Sequence, residues 1–254
     1  MSELTRVGDL IPIKEQPELA FNAKPFVLCG LPVRQPAGHI HERRNGDYTL
    51  RVVAGSKHGL PFGQDRIVLI WISTLAVQQK ERMLAENSLT VHFDSMSQLL
   101  EMFGLPDDGP HHKRVSDAFK RVHFSSIYFG TAGSFEDAKV YDNTHFTFFE
   151  KVKMRRKGFE ERSEVTISKL FWEELQAHPI PVNMAVVRKL VNFPAQMDFY
   201  IWLVWRCWGL RTPVKIPLVG EHGLLGQMGV SEHTETREFR RQLREWLDNI
   251  RQPE

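Results

Sequence analysis

Eleven histidines and four tyrosines give this chain enough metal-binding and nucleophilic side chains to raise the question of catalysis. His39-Ile40-His41 has a His-apolar-His pattern, and Tyr48, Tyr128, Tyr141 or Tyr200 could supply a phenolic nucleophile, the ingredients of metal-dependent strand cleavage. That chemistry needs both ligands on a rigid strand. Here the pair lies between Pro36-Ala37-Gly38 and Glu42-Arg43-Arg44-Asn45-Gly46, a loop composition. His111 and His112 diverge by about 100° if they start a helix, and His92-Phe93-Asp94 reads as a strand end followed by a helix cap. No G-x-x-x-x-G-K-[ST], G-x-S-x-G or H-E-x-x-H occurs. Cys29 and Cys207 stand far apart and read as packing residues. The expectation is a protein with no catalytic residue, no metal and no cofactor.

The arginines point elsewhere. At about 100° per residue, Phe239, Leu243, Trp246, Leu247 and Ile250 share one face of a helix, while Arg237, Arg240, Arg241 and Arg244 share the opposite one. Guanidinium groups gathered in this way repel one another, so a polyanion is their natural partner. Arginine also takes guanine O6 and N7 bidentately, so such a face can discriminate sequence. A second, mixed helix carries Lys113, Arg114, Lys120 and Arg121, interrupted by Asp117. A third cluster, KVKMRRKG, aligns Lys151, Lys153 and Arg155 on a strand face and sets Arg155, Arg156 and Lys157 at a turn, where a wing would meet phosphates or a minor groove. With Thr236 at the head of the last helix, these are the expected DNA-binding residues.

Elements must hold them in place, and their order recurs. A helix from about Asp65 to Lys80, with Ile70-Trp71-Ile72, precedes LLEMFGL at Leu99–Leu105; a helix with Ile201-Trp202-Leu203 precedes LLGQMGV at Leu224–Val230. After each glycine the same apolar spacing returns, as Val115, Phe119, Val122 and as Phe239, Leu243, Trp246. Helix, short helix ending in glycine, then longer helix is the pattern of a duplicated helix-turn-helix. Asp94 is the expected cap of the first short helix, Gly104 its stop. Strands are expected at Tyr48–Val53, between Ser126 and Met154, and at Glu164–Ile167. Trp71 and Trp202 read as core rather than as base-stacking platforms.

The fold class expected is α+β: two tandem winged-helix (helix-turn-helix) domains at 45–168 and 169–254, the second with its recognition helix at about 234–250, preceded by an irregular, proline-rich arm at 1–44. Length and composition suit this, since 254 residues with 42% hydrophobic and 25% charged side chains can bury a proper core. Net charge is only +2 and pI about 8.5, so the location of charge carries the argument and its sum does not. No apolar run approaches the roughly 20 residues of a membrane span, and Met1–Glu18 has no secretory pattern. A cytoplasmic protein without membrane contact is expected.

Arg43–Arg66, RRNGDYTLRVVAGSKHGLPFGQDR, followed by IVLIWI, resembles the plasmid-encoded RepA family of replication initiators, as does PIPVNMAVVRKLVNFPAQMDFYIWLVWR at Pro179–Arg206. The resemblance covers roughly Leu31 to Ile250 and departs from the family at Thr74–Lys80 and Asp107–Val122. It implies binding to repeated origin sites in double-stranded DNA, help in opening the duplex, recruitment of the host initiator and helicase, and repression of the protein's own gene, often by a homodimer. The alternatives are a transcriptional repressor of the same fold and a rolling-circle nicking endonuclease built on His39 and His41.

Overall fold

A computed structural model describes residues 18–45, 48–55, 57–130, 143–154, 162–219, 223–228 and 236–251. The first elements are β1 (Leu19–Ala23), α1 (Lys24–Leu28), β2 (Ile40–Asn45) and β3 (Tyr48–Ala54). After a 3-10 turn at Gly63–Asp65 come α2 (Arg66–Gln78), α3 (Lys80–Ala85), β4 (Thr90–Phe93), α4 (Met96–Met102) and α5 (Gly109–His123). Four strands follow, β5 (Ser125–Gly130), β6 (Asn143–Thr147), β7 (Phe149–Lys153) and β8 (Ser163–Ile167). The chain finishes with α6 (Lys169–Ala177), β9 (Pro179–Asn183), α7 (Met184–Lys189), α8 (Pro194–Trp208), α9 (Leu224–Gln227) and α10 (Thr236–Arg251). The class is α+β.

Two helices organise the core. A helix that is apolar on all sides belongs in an interior, and α2 buries Ile67 through Thr74 without interruption. Its counterpart α8 opens on Pro194, whose missing N–H costs nothing in a first turn, and buries Phe199 through Trp202. Trp71 packs edge-on against Phe93 at 4.5 Å, and Trp202 stacks on Phe199 at 6.1 Å. Both indoles are core residues, as their spacing predicts.

Among the described residues the strands form three antiparallel sheets, in the orders β1-β9, β2-β3-β5-β6 and β4-β8-β7. The last of these packs through β4 on α2 and through β7 on α5, and places Lys151 opposite Thr166. Between α2 and α5 lie α3, β4 and α4, and between α8 and α10 the described residues hold α9.

Gly104 closes α4 as the sequence suggests, for a physical reason visible in its backbone. Its φ is +65°, the left-handed region that a side chain disfavours. There Gly104 N–H donates to Glu101 O at 3.0 Å and Leu105 N–H to Leu100 O at 2.8 Å, the crossed pair that satisfies the last carbonyls of a helix.

Four expectations need correction. The stretch before residue 45 is not irregular in its described part: Pro25 sits in the first turn of α1, where proline is tolerated, and Leu19–Ala23 pairs with β9. Ile40–Asn45 is a strand paired with β3, not a loop, because its partner supplies the hydrogen bonds that its composition fails to advertise. Ser95, not Asp94, is the N-cap of α4; Asp94 instead exchanges hydrogen bonds with the Gln98 amide, both at 3.0 Å. Cys29 packs in the core and burial pushes its thiol up to about 12, but Cys207 is exposed on α8.

Candidate nucleic-acid interface

The last helix presents the sharpest separation of chemistry. Phe239 is fully buried and Trp246 nearly so, with Leu243, Leu247 and Ile250 packed beside them. Trp246 meets Phe199 at 5.7 Å, and Gln196 Nε2 donates to Trp246 O at 3.2 Å, so α8 is the bed on which α10 lies. On the other side Arg237, Arg240, Arg241 and Arg244 are exposed, with Thr236 half-buried at the start. Arg241 makes only loose one-turn pairs, with Glu238 at 3.7 Å and Glu245 at 4.0 Å, of the kind that contributes little in water. Among the described residues no carboxylate comes within ion-pair range of Arg237, Arg240 or Arg244.

In α5 the charges are engaged. Val115, Ala118, Phe119 and Val122 face the core, and Asp108 caps the N-terminus by accepting from His111 N at 2.9 Å. Lys113 and Lys120 both reach Asp117, at 2.8 and 3.2 Å, and the Lys113 hydrogen bond in particular holds the Asp117 carboxyl below its usual range. Arg114 is exposed, yet its Nη1 donates to Gln64 Oε1 at 2.8 Å. Arg121 leaves the candidate surface. Its guanidinium donates twice to Asp65, at 2.6 and 2.8 Å, and lies over the Phe62 ring at 4.9 Å.

On β7, Lys151 and Lys153 lie 3.1 and 4.0 Å from Glu164, whose carboxyl is held down chiefly by the Lys151 hydrogen bond. Arg155, Arg156 and Lys157 lie outside the described residues. The structure therefore gathers the α10 arginines on one face, sets the α5 lysines around an aspartate, and takes Arg121 inside.

His39 and His41 do not face a common point with other ligands. His41 is half-buried with Nε2 at 3.1 Å from Gly30 O, and burial lowers its pKa, which favours neutral imidazole. Among the described residues no group of three or more His, Cys, Asp or Glu is placed to hold a metal ion, and no helix is long and apolar enough to cross a membrane.

A polar cluster at Gln64-Asp65-Arg66 was not anticipated from sequence. Asp65 is buried, accepting from Phe62 N–H at 3.0 Å as well as from Arg121. Arg66 is buried too: Nε and Nη2 donate to Asp198 at 2.7 and 2.8 Å, and Nη2 also to Leu31 O at 3.0 Å. Its Nη1 donates to Gly63 O. Gln64 Nε2 donates to Asn192 Oδ1 at 2.7 Å and Val191 O at 3.2 Å. A signal existed in the sequence. Arg66 is the lone charged residue of α2 and Asp198 the lone acid of α8, and charges so placed require partners.

A family model for the plasmid-encoded RepA protein matches residues 60–213, from just before α2 to just past α8, and stops short of α10. No curated protein sequence matches the chain. Two crystal structures of domains 2 and 3 of RctB have a similar fold. One, of selenomethionine derivatives, has a TM-score of 0.58 at 12% identity and covers 89% of this chain and 85% of that one. The other has a TM-score of 0.57 at 14% identity, with coverages of 88% and 82%.

Proposed function

The chain belongs to the plasmid-encoded RepA protein family, and from that premise we propose that it initiates plasmid replication by binding repeated origin sites in duplex DNA through two winged-helix units. The reading divides the chain into a leading segment at 1–44, a first unit at 45–168 and a second at 169–254. In the first unit α5 is the reading helix and the segment between β7 and β8 the wing; in the second, α10 reads.

One observation carries the proposal: α10 is anchored by Phe239 and Trp246 and presents four arginines to solvent on the opposite face. A helix of that kind fits a major groove, with guanidinium groups within reach of phosphates and guanine edges. With α5 as a second, weaker reading helix, one chain could engage successive grooves roughly 34 Å apart, so that a monomer specifies a site of about 20 base pairs. Origin opening, recruitment of host initiator and helicase, and repression of its own gene by a dimer belong to the same proposal, on the strength of the family. No catalytic step is included.

Replication of a reporter plasmid that carries the bound repeats tests it. Replication only when this chain is supplied is the expected result. A chain that binds the repeats and silences a promoter but never supports replication would be a repressor of the same fold, and nicking of the supercoiled plasmid would make it an endonuclease.

Salt reports the wing separately. Each phosphate neutralised contributes about 0.9 to the slope of log K against log salt. Replacing Arg155, Arg156 and Lys157 by alanine is expected to reduce the slope by about 2 to 3, measured by fluorescence anisotropy across a salt series. An unchanged slope would place those three residues away from the DNA.

A further inference from the structure

Three consecutive residues touch both halves of the molecule. Asp65 holds Arg121, and Gln64 Oε1 receives Arg114; both arginines belong to α5. In the other direction Gln64 Nε2 reaches Val191 O and Asn192, just ahead of α8, and Arg66 grips Asp198 within α8. Asp198 lies between Gln196 and Phe199, the two residues of α8 that hold Trp246 of α10. The chain of contacts thus runs from α5 through Gln64-Asp65-Arg66 to α8 and on to α10, with no segment longer than a side chain between steps.

The surroundings leave this junction little freedom. A Cβ on Gly30 would come within 2.7 Å of Asp198 Oδ2, so the backbone before Leu31 is packed against the acid. Arg66 Nη2 is shared between Asp198 and Leu31 O. A further tie runs parallel: Arg188 of α7 donates through Nε to Met102 O at 2.7 Å, at the C-terminal end of α4. Planar guanidinium groups with two-point contacts resist rotation in a way that a single ammonium contact does not.

We propose that Gln64, Asp65 and Arg66 are positioning residues that fix α5 and α10 relative to each other, so that the protein, rather than the DNA, sets the spacing of the two half-sites it accepts. The inference rests on the two-headed reading above. None of the three needs to touch DNA. A rigid pair of heads binds correctly spaced half-sites without first ordering itself, and rejects misplaced ones because the second head cannot follow. Inserting two base pairs between half-sites moves the second by about 7 Å and turns it by roughly 70° around the duplex.

The experiment uses the full chain and a duplex recovered by selection from random sequences, together with the same duplex carrying a two-base-pair insertion between its half-sites. Two variants are compared with the parent: Asp198→Asn, which weakens the buried pair, and the double variant Gln64→Ala/Asn192→Ala, which opens the exposed side and avoids the buried charges. Thermal melts identify folded protein. The parent should lose at least about 30-fold in affinity on insertion, the cost of misplacing one head. The folded variants should bind the unaltered duplex within about 10-fold of the parent, yet lose less than about 5-fold on insertion. Should Asp198→Asn fail to fold, the Gln64/Asn192 variant decides. A parent that is sensitive to spacing, with folded variants equally sensitive, overturns the junction alone. A parent indifferent to spacing overturns the junction, and the two-headed reading falls with it if a duplex carrying a single half-site is bound as tightly as the selected duplex.

Discussion

Changing Arg240 and Arg241 together to alanine is expected to weaken binding to the selected duplex by about 30- to 1,000-fold, roughly 2 to 4 kcal/mol if each guanidinium makes one good contact. Both side chains are exposed, and the only pairs among the described residues are the loose ones that Arg241 makes with Glu238 and Glu245. Removing them leaves the buried side of α10 untouched, because that side consists of Phe239, Leu243, Trp246, Leu247 and Ile250. Stability should therefore change by less than about 0.5 kcal/mol, as for ordinary surface positions. A gel shift in which the double variant binds as tightly as the parent, while remaining folded, would remove α10 from the interface.

The opposite separation is expected at Asp65. Its replacement by alanine strands the Arg121 guanidinium, whose side chain is only 15% exposed, and takes an acceptor from Phe62 N–H. Breaking one partner of a buried pair costs about 3 to 5 kcal/mol, which for a protein of this size lowers the melting temperature by roughly 6 to 20 °C. A urea melt should show the loss directly, and a cost below about 1 kcal/mol would mean that Arg121 finds water instead. The comparison with Arg240 and Arg241 is informative because all three are arginines on long helices following a glycine. Their environments, rather than their type, set the expected outcomes apart.

That difference also marks what could be read without a structure. Periodicity identified the buried stripes of α5 and α10 correctly, because Val115, Phe119 and Val122, and Phe239 and Trp246, sit at helical spacing and are in fact buried. Gly104 announced the end of α4 because only its backbone geometry needs explaining. The pairing of Arg121 with Asp65 is one that periodicity cannot see: Arg121 lies at the edge of the stripe, and Asp65 is distant in sequence. The strand β2 was hidden because neither its proline- and glycine-rich approach nor its charged residues favour extended structure; β3 holds it by backbone pairing. In the same way, Asp117 pairs with both Lys113 and Lys120 of α5, and although the residue is visible in sequence its reach to both lysines depends on geometry.

The pairing of β1 with β9 has a consequence for how the molecule is made. Leu19–Ala23 leaves the ribosome well before Pro179–Asn183, which completes its ladder and emerges only after the other two sheets of the described residues have been synthesised. Until then the strand offers unpaired N–H and C=O groups next to the apolar surface of α2, where Phe21 N–H meets Thr74. Long-range closures of this kind slow folding and prolong the life of sticky intermediates. The first half produced by itself would keep that open edge indefinitely, so recombinant fragments ending before β9 should be poorly behaved in expression, and chaperone dependence during synthesis should concentrate on the amino-terminal strand.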